Sequence, residues 1–183
     1  MNFLGLDLSL TGSGIVEVDA LGMATQVVRP DVPRRPPWAA YKEMRMLVGK
    51  LVQNTDRPMA AAIESPLLRG NGALERAGMW GAVVSLLGDC TVVVAPAQLK
   101  KFATGDHVAK KDRVRLAVYK RWGFEDESND VVDAFVLAQI ARSFFSLVRG
   151  GTMFQSPVSA LTQFQLEVLG KIRVTMRRYG EGL

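Results

Sequence analysis

Apolar positions fall in short, dense runs over the first third of the chain and in longer, helix-spaced sets towards its end. Residues 2–8 hold Phe3, Leu4, Leu6 and Leu8 around a single carboxylate, Asp7, and predict a short buried strand. A turn of small residues follows over 11–14. Residues 15–18 and 24–28 predict two further strands, antiparallel and parted by a polar turn. Four prolines between 30 and 37 exclude a helix or a central strand there and predict a loop. Tyr41, Met44, Leu47 and Leu51, with Lys42, Arg45 and Lys50 between them, predict a helix over 38–54.

The run 59–63 predicts a fourth strand, and it ends on a second carboxylate, Glu64. A basic loop at 67–72 precedes a helix over 73–87, in which Ala77, Gly78, Gly81, Ala82 and Ser85 cluster. Such small residues suit either tight packing on a sheet or a subunit interface. The run 90–95, β-branched at 91–94, stops at Pro96 and predicts a fifth strand. A short helix starts at 96–101, a loop with His107, Lys110 and Lys111 spans 105–111, and an amphipathic helix covers 112–122 with Gly123 as its C-cap. The acidic stretch 125–130 leads into a helix over 131–148, with Ser128 or Asn129 as N-cap. Asp130 and Asp133, three apart, share a face of that helix. Cap and dipole chemistry account for Asp130 but poorly for Asp133, which stands in an apolar run. After Gly150-Gly151 a loop (152–159) and a final basic helix (160–178) are expected, so the chain divides into a domain over 1–150 and a helical extension over 151–183, packed on or flanking it.

Composition narrows the classes. At 183 residues, 48% of them apolar, the chain is long enough for one domain with a real core. Lys and Arg number 23 against 18 Asp and Glu, a modest surplus that fits an anionic partner such as nucleic acid. One Cys and one His leave no intrachain disulfide and no Cys/His zinc site. No apolar run approaches the ~20 residues that span a bilayer, and no signal-peptide pattern opens the chain, so a cytoplasmic protein, bacterial or in a phage-infected host, is expected.

The carboxylates carry the chemistry. An Asp on a buried strand is costly unless it is paired, hydrogen-bonded by turn amides, or bound to a metal. A second acid ends the fourth strand and a pair opens a late helix; in an α/β fold with a mixed sheet all four can converge at one sheet end. Packed together they raise one another's pKa values, and divalent cations remove that penalty. Oxygen-only ligands favour Mg²⁺ or Mn²⁺, and two such ions support phosphodiester hydrolysis.

Five pieces, GLDLSLTGSG (5–14), AIES (62–65), QLKKFATG (98–105), AKKDRV (109–114) and NDVVDAFVLA (129–138), resemble the RuvC-type Holliday junction resolvases, in that family's order and spacing. The resemblance implies an RNase H-like fold, a central mixed five-stranded sheet flanked by helices. It implies that Asp7, Glu64, Asp130 and Asp133 bind two Mg²⁺ or Mn²⁺ ions, with Lys111 assisting catalysis. It further implies DNA contacts by Lys100, Lys101, His107, Lys110 and Lys111, and by Leu67, Leu68 and Arg69 in the loop after Glu64. A homodimer through helix 73–87, a four-way DNA junction as substrate, and no small-molecule cofactor complete the expectation. Where the family often carries an aromatic wedge after the glutamate, this chain has Pro66, Leu67 and Leu68. A fork or flap endonuclease and a non-catalytic junction-binding protein are the alternatives. An actin-like ATPase shares the Asp and Gly-rich turn, but the chain is short for its two-domain cleft.

Overall fold

The computed structural model describes residues 2–9, 12–31, 37–53, 59–87, 90–148 and 161–172. The strands are β1 (Asn2–Asp7), β2 (Gly14–Val18), β3 (Ala24–Val28), β4 (Met59–Glu64) and β5 (Thr91–Val94). The helices are α1 (Pro37–Gln53), α2 (Ala73–Leu87), α3 (Pro96–Thr104), α4 (Lys111–Trp122), α5 (Asn129–Val148) and α6 (Gln163–Leu169). The strands form one sheet in the order β3-β2-β1-β4-β5. The β1–β2 and β2–β3 pairs are antiparallel, and β1–β4 and β4–β5 are parallel. This mixed sheet between helical layers is the RNase H-like arrangement expected above.

Alternation along the strands builds two cores. Phe3, Ala60, Ala62, Val92 and Val94 face α5, behind which α3, α4 and α6 pack. Leu4, Leu6, Ile15, Ala61 and Ile63 face the other way, against Met44 and Val48 of α1 and Met79 and Val83 of α2. Because side chains switch faces at every residue, Asp7 shares the α5 face with Phe3 and Gly5. Glu64 shares it with Ala60 and Ala62. Leu6 is paired with Ile63 across the parallel ladder, so the next step along both strands brings Asp7 and Glu64 side by side.

The helix α5 is apolar on nearly all sides, as suits a helix buried between a sheet and other helices. It is long and apolar enough to cross a membrane, which the run-length reading missed, but most of it is buried inside the domain. It approaches the sheet backbone to backbone. A Cβ at Gly5 would lie inside the contact distance of Ala134 O and Ala138 N, and one at Gly14 would overlap Asp130 O. On the far side of α5, Phe135 stacks on Phe124 at 4.1 Å and meets Trp122 edge-on at 5.9 Å, contacts that tie α4 and the α4–α5 loop to it.

Boundaries differ from expectation in two helices. The helix α3 continues to Thr104, because Gly105 takes a left-handed φ of 82° and closes it with a bond to Lys101 O. The last helix, expected over 160–178, is α6, which starts behind Thr162 and ends before Gly170. The Thr162–Gln165 capping box sets its start. Most of the proline loop (32–36), the loop over 152–159 and the basic end with Arg173, Arg177 and Arg178 lie outside the described residues. From the 151–183 segment, Val168, Leu169 and Ile172 are buried in the α5-side core.

Replacing Gly5 by Ala will force α5 off the sheet and lower stability by about 3 kcal/mol or more, the upper range for overpacking a core. Gly49→Ala, mid-helix with only Leu86 Cδ1 at 3.9 Å, will instead gain up to about 1 kcal/mol. Urea melts of the two variants check both signs.

Candidate active site

Three elements carry the four acids. Asp7 ends β1 and Glu64 ends β4. Asp130 and Asp133 lie in the first turns of α5, the positive end of its dipole. Each position is fixed by its neighbours. The turn after Asp7 is closed by Ser13, whose Oγ donates to Ser9 O at 2.9 Å and accepts from Ser9 N at 3.0 Å. Glu64 is held through its backbone: Trp80 Nε1 donates to Glu64 O at 2.9 Å, and Ser65 N donates to Val94 O at 2.9 Å. The start of α5 is anchored by Asp126, which is buried, pairs with the Arg29 guanidinium and accepts from Ser128 N at 2.8 Å. Gly12 leaves room for Asp130, since a Cβ there would lie 2.6 Å from Asp130 Oδ2.

The four acids act on one another electrostatically. Burial pushes the Asp7 carboxyl up to about 8, and the charges of Glu64, Asp133 and Asp130 push it the same way. Burial, then Asp133 and Asp130, raise Glu64 to about 7. Asp133 rises to about 6 through burial and the charge of Asp130. Two cations oppose these shifts. Lys111, the first residue of α4, acts on all three groups, and Lys100 of α3 acts on Glu64 and Asp133. Among the described residues none of the four acids is in an ion pair. Burial and mutual repulsion thus disfavour the charged form of these acids, and Lys100 and Lys111 offset part of that penalty.

The donor set, oxygen atoms only, fits a hard divalent cation. The spacing is more open than a closed chelate: among the described residues no group of three His, Cys, Asp or Glu side chains is arranged to hold a metal ion. Shared electrostatics and chelating geometry are different tests, and only the first is met in this structure.

The other expected site residues divide. His107 and Lys110 are exposed on the turn that leads into α4, the turn that also delivers Lys111. Leu67, Leu68 and Arg69 are exposed in the loop directly after Glu64. Lys101 stands apart: its Nζ pairs with Glu167 Oε2 of α6 at 2.6 Å. Sequence reasoning missed Gly5, Gly12, Ser13 and Trp80 as residues that fix the backbone around these acids. For Gly5 a signal was present, since it shares strand parity with Asp7.

Fold and site together define an RNase H-like domain with an acidic cluster at the carboxyl ends of β1 and β4. The sequence matches no protein-family model and no curated protein. Among solved structures the chain is similar to the RuvC structure of Thermus thermophilus, at 19% identity and a TM-score of 0.64, over 82% of this chain and 98% of that one. It is similar to T. thermophilus RuvC in complex with a Holliday junction substrate at 20% identity and the same TM-score, over 82% and 96%. At this identity the likeness establishes the shared fold.

The pKa directions give a stability prediction. Asp7, Glu64 and Asp133 have folded pKa values of about 8, 7 and 6, above the ordinary carboxylate values of 3.8, 4.5 and 3.8, so between those values the native state binds more protons than the unfolded chain. Stability is then highest below about pH 4 as far as these groups are concerned, and is lost as pH rises towards 8. Without divalent cations the melting temperature will fall from pH 5 to pH 8. Asp7→Asn will flatten that fall and melt higher than the wild type at pH 8. A parallel fall in both proteins would contradict the placement of Asp7.

Proposed function

We propose that this chain is a divalent-metal-dependent endonuclease that cuts branched DNA, with four-way junctions as its preferred substrate, by paired nicks from a homodimer. The observation that carries the reading is the mutual repulsion of Asp7, Glu64, Asp130 and Asp133, which raises the first, second and fourth of these carboxyls and which Lys100 and Lys111 offset in part. Clustered acids repel phosphate, so a protein that only bound DNA would gain nothing from them. The four carboxylates would hold one or two Mg²⁺ or Mn²⁺ ions, which when bound activate water and stabilise the leaving oxygen of a phosphodiester. Lys111 supplies positive charge to the scissile phosphate as negative charge builds on it, and Lys100 supports it from α3. His107, Lys110 and Arg69 reach flanking phosphates, while Leu67 and Leu68 offer apolar edges to an unstacked base step. The solved RuvC complex with a Holliday junction supports the choice of substrate.

A homodimer would use α2. Its exposed residues Leu74, Gly78, Gly81 and Ser85 follow helical spacing along one face, and a Cβ at Gly81 would meet open space. A second reading, a less selective fork or flap endonuclease, is favoured by the aliphatic pair Leu67–Leu68 where an aromatic wedge was expected.

The test is cleavage of an immobile four-way junction, a three-way junction and a linear duplex in Mg²⁺, Mn²⁺ or EDTA. Paired nicks on the four-way junction, lost in EDTA, are expected. Asp7→Asn will lower the rate by more than about a hundredfold, the upper end for outer-shell changes at metal sites, and Lys111→Ala by about a hundredfold. Equal rates on all three substrates select the second reading; binding without cutting in either metal refutes both. In sedimentation, Gly81→Arg will shift a wild-type dimer to monomer, and a wild-type monomer would remove the dimer from the proposal.

A further inference from the structure

The loop after Glu64 is tied to α2 by one side chain. Arg76 sits in the first turn of α2, and its guanidinium reaches three loop carbonyls. Nε donates to Leu67 O at 3.0 Å, Nη2 to Arg69 O at 2.8 Å and Nη1 to Asn71 O at 2.9 Å. Its backbone N–H adds a bond to Gly72 O at 3.0 Å. The carbonyls come from alternate residues, so the chain between 67 and 71 is wrapped around the plane of the cation. Gly70 and Gly72, at φ of 74° and 75°, supply the left-handed turns that the wrap needs. A lysine ammonium has no rigid planar fork and does not reproduce this pattern. One helical turn further on, Trp80 holds Glu64 O, so α2 grips both the acid-bearing strand end and the loop beyond it. Leu67 and Leu68 nonetheless stay 65% and 64% exposed. Two large apolar side chains are thus held out into solvent beside an acidic site by a loop that has been stiffened from behind.

We propose that Arg76 is a positioning residue that presets the 67–71 loop, so that Leu67 and Leu68 meet the branch point as a rigid apolar prong. The proposal rests on the nuclease reading above and adds to it the residue that sets substrate selectivity. Arg76 acts through the loop carbonyls and touches neither the substrate nor the reacting atoms. A prong that must order itself on binding loses part of its binding energy to that ordering, whereas a preset one does not.

Two readouts test it, with Arg76→Gln and Arg76→Lys as variants. The first is independent of activity: trypsin cleavage after Arg69 in the native protein. Losing the three bonds will speed that cut about tenfold or more in R76Q, as expected for one or more net hydrogen bonds lost, with R76K in between. The second is the ratio of four-way to linear-duplex cleavage. It will fall about tenfold in R76Q, through KM on the junction more than kcat, as an ordering cost met on binding requires. A wild-type trypsin rate at Arg69 overturns the tether. A loosened loop with unchanged selectivity overturns the positioning role. Should R76Q not fold, R76K decides by the same two measurements. If the wild type cuts no DNA, the nuclease reading fails and the selectivity role with it, while the trypsin rates still decide whether Arg76 holds the loop.

Discussion

The contact on which the rest depends is that of α5 with the first strand, backbone against backbone at Gly5. A side chain there would collide with Ala134 O, and the helix would ride higher on the sheet. Asp130 and Asp133 travel with that helix, whereas Asp7 and Glu64 belong to the sheet. The separation of the two acid pairs is therefore set by the thickness of one missing Cβ. Gly14 repeats the device against Asp130 O, so the helix is seated at two points along its length rather than pivoting on one. Close-packed interiors transmit such steric terms with little loss, which is how a glycine two residues from Asp7 governs carboxylates on another element.

That seating has an electrostatic consequence. Three of the acids hold their protons more tightly than in water, with burial as the largest cause in each case. Such a cluster opposes folding at neutral pH, and nothing among the described ion pairs relieves it. A protein keeps strain of this kind where the surrounding structure over-determines it. Here the surrounding structure is explicit: the Ser13 turn behind Asp7, the Trp80 and β5 bonds behind Glu64, and the Arg29–Asp126 pair ahead of α5. Lys100 and Lys111 arrive from separate helices and only partly offset the repulsion, so added positive charge near these acids would stabilise the fold.

Much of the fold was legible because its signals are local. Strand parity placed Asp7 among apolar residues, β-branched runs marked β5, and a three-residue spacing put Asp130 and Asp133 on one face. The expected convergence of the four acids rested on element order combined with the resemblance. What was not legible depends on pairs distant in sequence. Nothing local distinguishes Lys101, which meets Glu167 of α6, from Lys100, which faces the acids. Nothing local marks Arg76 as a residue that binds carbonyls, since a surface arginine on a helix usually serves as solvated charge. The end of α6 at Gly170 was overrun because the apolar spacing continues past a residue that stops the helix.

The helix α2 joins these separate parts. One face enters the core through Met79, Val83 and Leu87, a second grips Glu64 O and the loop carbonyls through Trp80 and Arg76, and a third is exposed at Leu74, Gly78, Gly81 and Ser85. A helix is stiff along its axis, so the three faces move as one body. Whatever packs on the exposed face is then in mechanical register with the end of β4 and with the loop. In the proposed dimer this coupling would fix the two sites relative to one another without any contact between the sites themselves. The outer face is open at Gly81, while Gly78 lies against the Tyr41 ring of α1, so close approach of a partner helix would centre on Gly81 and Ser85.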